Sequence, residues 1–83
     1  MSEQSGDVKT LLEQVTRALV DAPDLVSVNT VDEDGETILE LTVGPNDLGK
    51  VIGKQGRTAR ALRAVLSAAS VKAHKRYTLE ILE

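Results

Sequence analysis

The chain has 83 residues, of which 41% are hydrophobic and 28% are charged, and its formal net charge is −3 at pH 7. This composition is typical of one small globular domain, with no room for a second hydrophobic core. Because the chain has no cysteine, disulfide bonds, a thiol nucleophile and cysteine-based metal sites are excluded. No apolar run reaches the roughly 20 residues of a membrane span, and the first residues lack a signal-peptide pattern, so we expect a cytoplasmic location.

The charges are divided unevenly between the two halves of the chain. Residues 1–43 carry two basic and ten acidic residues, whereas residues 44–83 carry eight basic and three acidic residues. Such asymmetry favours a polyanionic partner for the basic half, while the acidic half would discourage indiscriminate binding to nucleic acid. A dipolar surface without any partner accounts for the charges equally well, so charge alone does not decide between the two.

The chain is predicted to begin with a flexible N-terminus at residues 1–6, followed by one domain at residues 7–83. Asp7 is a candidate N-cap for a first helix, and Pro23 would end that helix near Asp21. The helix is indicated by apolar residues that recur on one face, namely Val8, Leu11, Leu12, Val15, Ala18, Leu19 and Ala22.

Two strands are predicted next, at residues 25–31 and 37–43, because apolar and β-branched side chains are frequent there and alternate with polar ones. Asp34 and Gly35 lie between them in an acidic turn. These strands form a predicted β-hairpin, with a loop longer than two residues.

The second half of the chain predicts two helices and a last strand. The segment 44–47 reads GPND, a breaker followed by capping residues, and opens a short helix that Gly53 ends. A longer helix resumes after Gly56, followed by a basic connection at residues 70–75 and a strand at residues 77–81. The apolar face of the longer helix comprises Ala59, Leu62, Val65, Leu66 and Ala69, with Arg57, Arg60 and Arg63 opposite.

The four residues Gly53 to Gly56, GKQG, join these two helices. Amides in the first turn of the second helix have no intrahelical partner, and glycine lets a phosphate approach the backbone. Lys54 and Arg57 add positive charge beside the same point. This arrangement can hold the backbone of a phosphate-bearing chain, although a tight helix–helix turn needs the same glycines for capping and close packing.

The segment Val51 to Gly56 reads VIGKQG and is similar to the VIGxxG signature of the KH domain. The predicted order α-β-β-α-α-β resembles the prokaryotic, type II arrangement, and the resemblance extends from Val8 to Leu82. It implies an α+β fold, with a three-stranded sheet packed against helices. It also implies a groove for about four nucleotides of single-stranded RNA, clamped by the Gly-x-x-Gly loop.

The resemblance also implies which residues form the two walls of that groove. One wall would come from the helices that flank the loop, at Leu48, Val51, Ile52 and the first turn after Gly56. The opposite wall would come from residues 70–77, including His74. Arg63 is expected to be a solvated helix residue. The predicted RNA-binding residues are Lys50, Val51, Ile52, Gly53, Lys54, Gln55, Gly56, Arg57, Arg60, Lys75 and Arg76.

The near absence of aromatic residues agrees with this type of binding site. The chain has one tyrosine and neither phenylalanine nor tryptophan. Single-strand binders that stack bases on aromatic platforms are therefore unlike this chain, whereas a backbone clamp over an aliphatic groove needs no aromatic residue. Tyr77, which alternates with Leu79 and Ile81, is predicted to lie in the core.

No catalytic constellation is visible in the sequence, so we expect a binding protein that needs no metal or cofactor. With His74 as the one histidine and no cysteine, a nucleophile–histidine pair has no orienting context. For the family, the resemblance implies an RNA chaperone or post-transcriptional regulator in bacteria. The alternative is a protein-interaction subunit, in a homodimer or in a heterodimer with a larger KH-containing protein.

Overall fold

The structure is a computed structural model that describes residues 4–82. The predicted α+β class and the order α-β-β-α-α-β are confirmed. Short 3-10 turns lie at Pro23–Leu25, Pro45–Asp47 and Lys54–Gly56. The helices and strands are α1 (Gln4–Leu19), β1 (Ser27–Glu33), β2 (Glu36–Thr42), α2 (Leu48–Ile52), α3 (Arg57–Ala73) and β3 (Arg76–Ile81).

Helix α1 begins and ends earlier than its sequence pattern predicts. It starts at Gln4, so Asp7 lies inside the helix and is not its N-cap. Of the predicted flexible segment, residues 4–6 are helical and residues 1–3 lie outside the described residues. The predicted domain bounds of 7–83 stay a prediction.

The buried face of α1 is narrower than its apolar stripe. Val8 and Leu12 are buried, and Thr16 is buried completely. The Thr16 hydroxyl donates a 2.7 Å hydrogen bond to the Leu12 carbonyl, so it needs no other partner. Leu11 and Val15 remain partly exposed.

The β1–β2 hairpin turns through two residues, so the predicted longer loop is wrong. Glu33 pairs with Glu36, and only Asp34 and Gly35 lie between the strands. Both have positive φ, 49° and 81°, which is the conformation of the tight type I′ turn that Asp-Gly favours. Asp32, Glu33 and Glu36, which the predicted bounds leave between the strands, therefore belong to the strands, and Asp34 stays in the turn.

The sheet has the order β1-β2-β3, with β1 and β2 antiparallel and β2 and β3 parallel. Its strands alternate, with one face buried against the helices and the other polar. As predicted, Tyr77 lies in the core. The sheet contributes Val28, Leu39, Leu41, Tyr77 and Leu79 to that core, and the helices contribute Val8, Leu12, Val51, Leu62 and Leu66.

Helix α3 continues to Ala73, across part of the predicted connection at residues 70–75. His74 follows it with φ 56°, and the Lys75 amide donates to the Ser70 carbonyl at 3.2 Å. The Ser70 hydroxyl then accepts a 3.0 Å hydrogen bond from the Tyr77 amide. This compact turn returns the chain directly into β3. Within residues 4–82, no helix has the length and apolar character needed to cross a membrane.

Candidate nucleic-acid interface

The loop between α2 and α3 reverses the chain with three residues of positive φ. Gly53, Gln55 and Gly56 have φ values of 79°, 58° and 74°. The Gly53 amide donates to the Gly49 carbonyl at 2.8 Å, which ends α2, and the Gly56 amide donates to the Gly53 carbonyl at 3.0 Å. The loop is thus a defined turn that joins the end of α2 to the start of α3.

The two glycines of the loop meet different surroundings. A Cβ at Gly53 would lie 2.7 Å from the Thr58 amide nitrogen and still closer to the Thr58 hydroxyl, so no side chain fits there. A Cβ at Gly56 would have no heavy atom within 4 Å. Gly53 therefore serves the close packing that a tight helix–helix turn needs. Gly56 leaves its backbone open to a ligand.

The polar side chains of the loop point to solvent. Lys54, Gln55 and Arg57 are exposed, and the Arg57 guanidinium donates a 3.4 Å hydrogen bond to the Gln55 side-chain oxygen. The Arg57 amide donates to the Lys54 carbonyl, whereas the other amides of the first turn of α3 have no carbonyl one turn earlier in the helix to accept them. Positive side chains and the positive end of the α3 dipole therefore meet at this loop, which favours an anion.

An open groove of about 490 Å³ starts at this loop. It runs between the first two turns of α3 and the carboxyl-terminal half of β3. Three of the predicted residues, Ile52, Gly56 and Arg60, line it. The complete lining comprises Ile52, Gly56, Ala59, Arg60, Arg63, Leu79, Glu80 and Ile81.

Ala59 lies in the first turn after Gly56, which was expected in the wall. Sequence reasoning missed the other four lining residues, and it placed Arg63 on the solvated side of α3. A signal for Arg63 was present, because residues seven apart lie two turns apart on nearly the same side of a helix. Arg63 stands in that relation to Gly56. The contribution of β3 to the groove lining had no such signal in the sequence, because it depends on how the strand returns along α3.

None of residues 70–77, which are predicted to form the opposite wall, lines this groove. Helix α3 has 17 residues and is therefore about 25 Å long. Lys75 and Arg76 follow its far end, where Arg76 lies beside Glu36 of the acidic hairpin. Contact of Lys75 and Arg76 with RNA stays a prediction, and it requires an RNA strand that extends along the whole of α3.

Val51 and Lys50, both predicted to bind RNA, have other roles in α2. Val51 is fully buried, so it has no surface with which to contact a ligand, while its neighbour Ile52 is half-buried and lines the groove. The Lys50 ammonium lies 3.2 Å from an Asp21 carboxylate oxygen and 3.5 Å from an Asp47 oxygen. Lys50 thus has two carboxylate partners within the fold, and its contact with RNA stays a prediction.

Asp47 links α2 to the segment that follows α1. Its carboxylate is buried and accepts hydrogen bonds from the Ala22 amide at 2.9 Å and the Asp21 amide at 3.2 Å. Burial raises the pKa of the Asp47 carboxyl, but these amides and Lys50 outweigh it, so the pKa lies below its ordinary value of 3.8. The Asp21 and Asp47 carboxylates in turn raise the pKa of Lys50 above 10.5. The ionised Asp47 and Lys50 together hold α2, and with it the loop, against the segment that follows α1.

A second surface feature is a shallow apolar cleft between α1 and α3. Its most exposed members are Val65, at 46%, and Leu11, at 42%. The cleft is lined by Leu11, Leu12, Val15, Leu62, Val65 and Leu66.

Among residues 4–82, no group of three or more histidine, aspartate or glutamate side chains could hold a metal ion.

Comparison with known proteins identifies similar chains along nearly the whole length of this one. A family model described as the KH domain of KhpA/KhpB matches residues 9–81. The chain is 53% identical over 75 residues to RNA-binding protein KhpA of Clostridium acetobutylicum, covering 90% of this chain and 100% of that protein. It is 42% identical to RNA-binding protein KhpA of Borreliella burgdorferi over 83 residues, which is the whole of both chains.

A solved structure with the same fold is a crystal structure of Era from Aquifex aeolicus. The TM-score is 0.60 and the sequence identity is 15%, with 89% of this chain and 29% of that chain covered. Because the identity is low and this chain spans under a third of that protein, the likeness concerns the fold alone.

Proposed function

This chain belongs to the KhpA/KhpB KH-domain family, and from that premise we propose that it binds single-stranded RNA through the loop Gly53 to Gly56 and the adjoining groove. The names of its relatives, which describe an RNA-binding protein and not an enzyme, support this proposal. The observation that carries it is the continuity of loop and groove. Gly56 belongs to both, and its backbone is open to a ligand.

In the bound state, a phosphate of the RNA would lie against the loop, beside Lys54 and Arg57. The bases would rest on the aliphatic surface of Ile52 and Ile81, which are only half-buried, and this requires no aromatic residue. So short a site neutralises few phosphates, hence we expect weak affinity with a shallow salt dependence of about −0.7 per phosphate engaged. We further propose that the protein acts in the bacterial cytoplasm, as an RNA chaperone or post-transcriptional regulator.

The test is a fluorescence-anisotropy titration of a labelled single-stranded RNA with the wild type and with Lys54→Asp/Gln55→Asp. The double substitution places two carboxylates where the proposed phosphate lies, so we expect binding to be lost. A matched control is Lys72→Asp/Ala68→Asp, two exposed positions toward the other end of α3, which makes the same change in charge. Circular dichroism checks that each variant folds. Equal affinity of wild type and loop variant would refute the proposed site.

A second function is favoured by the apolar cleft between α1 and α3. Exposed leucine and valine side chains that form a contiguous apolar surface are typical of a contact with another protein. The chain would then act as a protein-interaction subunit, in a homodimer or in a heterodimer with a larger KH protein of the KhpB/Jag type, with little RNA binding of its own.

Sedimentation equilibrium, which gives the oligomeric state, separates the two functions when it is combined with the RNA titration. Val65 is the most exposed member of the cleft, so Val65→Asp disturbs the fold least. If the wild type is a dimer without RNA affinity and Val65→Asp is a folded monomer, the second function is supported. A monomeric wild type that binds RNA excludes it for the isolated chain.

A further inference from the structure

We propose that Arg63 binds a second phosphate of the RNA, so that the bound strand follows α3 for two helical turns beyond the loop. This inference rests on the proposed function, because it extends the same site. It assigns a binding role to Arg63, which the sequence analysis expects to be a solvated helix residue.

The first support is the position of Arg63 relative to the loop. Gly56 and Arg63 are seven residues apart, hence they lie on nearly the same side of α3, about 10 Å apart along its axis. Ala59, which lies between them, is small and buried, so it forms a low floor in the groove. A strand held at the loop can therefore lie along α3 and reach Arg63, at least one nucleotide further on.

The second support is the absence of an internal partner for this charge. Helix α3 contains no aspartate or glutamate, so no salt bridge within the helix explains its arginines. Among the described residues, neither Arg60 nor Arg63 has a side-chain hydrogen bond or a salt bridge, unlike Lys50, which contacts two carboxylates. Arg60 and Arg63 are three residues apart and repel each other, and an anion between them would remove that repulsion.

The third support is the distribution of charge across the groove. The β3 wall contributes the apolar Leu79 and Ile81 and the acidic Glu80. The two cations of the groove, Arg60 and Arg63, therefore both lie on its α3 side. The phosphates are therefore expected along α3, with the bases turned toward β3. A guanidinium forms paired hydrogen bonds to phosphate oxygens, which suits both arginines to this task.

The salt dependence of RNA affinity tests this inference. Wild type, Arg63→Gln, Arg63→Lys and Lys72→Gln are titrated with one labelled single-stranded octanucleotide over a series of KCl concentrations. Lys72→Gln is the matched control, because it removes one charge from the same helix outside the groove. We expect Arg63→Gln to weaken binding and to reduce the magnitude of the slope of log K against log salt by about 0.7, the contribution of one phosphate. Arg63→Lys should keep the wild-type slope.

Each alternative result is decisive. An unchanged slope for Arg63→Gln, with or without a loss of affinity, overturns the phosphate contact. If Lys72→Gln changes the slope as much as Arg63→Gln does, the change reflects net charge and the phosphate contact is also overturned. A lower melting temperature of Arg63→Gln would instead assign Arg63 a structural role, since relief of the repulsion with Arg60 predicts an unchanged or higher value. If Lys54→Asp/Gln55→Asp binds as the wild type does, the proposed function fails at the loop. If the wild type binds no RNA, both proposals fail.

Discussion

Gly53 and Gly56 are identical residues in one short motif, yet the fold requires them for different reasons. Gly53 has φ 79° and ψ 167°, a region that side-chain-bearing residues avoid, and it packs directly against Thr58. Gly56 has φ 74° and ψ 16°, the left-handed helical region, with open space around it. One glycine maintains the fold, and the other keeps the backbone accessible.

This difference predicts unequal costs for alanine at the two positions. Gly53→Ala should lower the free energy of unfolding by about 3 kcal/mol, from backbone strain and overpacking together. Gly56→Ala should lower it by only about 1 kcal/mol, yet reduce RNA affinity, because its methyl group enters the open space. Gly49→Ala, in α2 with ordinary φ and no atom near its Cβ, is the control and should not destabilise the protein. Urea unfolding measures all three, and equal losses at positions 53 and 56 would contradict the assignment.

Asp47 predicts a specific pH dependence of stability. A carboxyl group with a lowered pKa in the folded state stabilises the fold above its unfolded pKa and loses this contribution as pH falls through the folded value. Asp47→Asn should therefore be less stable than the wild type at neutral pH, and the difference should shrink as the pH falls below about 3.8. The free energy of unfolding of both proteins, measured by urea titration between pH 7 and pH 2, gives the comparison.

The control for this experiment is Asp24→Asn, because Asp24 is exposed and forms no hydrogen bond or salt bridge with the described residues. Its difference from the wild type should be small at every pH. A gap between wild type and Asp47→Asn that stays constant with pH would mean that shape, and not charge, makes Asp47 stabilising.

At the scale of the elements, the left-handed end of α3 is a strained point. His74 adopts φ 56° and ψ 36° at the C-cap, a conformation that glycine accepts without penalty and other residues accept at a cost. His74→Gly should therefore raise the free energy of unfolding by about 1 kcal/mol. Thermal or urea unfolding tests this, with His74→Ala as the control that keeps the strain. Stabilisation by alanine as well as glycine would refute the explanation.

The order of the elements could be predicted from the sequence because hydrophobic period and turn residues determine it locally. The positions of individual residues at the site could not. The same short apolar pair supplies Val51 to the core and Ile52 to the groove, and the choice depends on how α2 rests on the sheet. The acidic segment at residues 32–36 predicts a longer hairpin loop, whereas the Asp-Gly turn at its centre lets Glu33 pair with Glu36.

At the scale of the whole molecule, the fold separates the acidic hairpin from the loop. Glu36 pairs with Arg76 at the start of β3, so the hairpin turn lies near the end of α3, and the loop lies at its beginning. The two are thus about one helix length apart, roughly 25 Å. The acidic end can repel a polyanion from a distance without occupying the groove.

This separation predicts that the hairpin acts on binding only at low salt. Glu33→Gln/Asp34→Asn removes two charges from the exposed turn, and it should raise the affinity for single-stranded RNA and for a DNA duplex of equal length alike. Charges about 25 Å apart interact when the Debye length is about 30 Å, at roughly 0.01 M salt, and are screened when it is about 8 Å, at roughly 0.15 M. Anisotropy titrations at these two salt concentrations should therefore show a several-fold gain that disappears at the higher one. A gain that persists at roughly 0.15 M salt, or that is confined to RNA, would instead place the hairpin in direct contact with the bound strand.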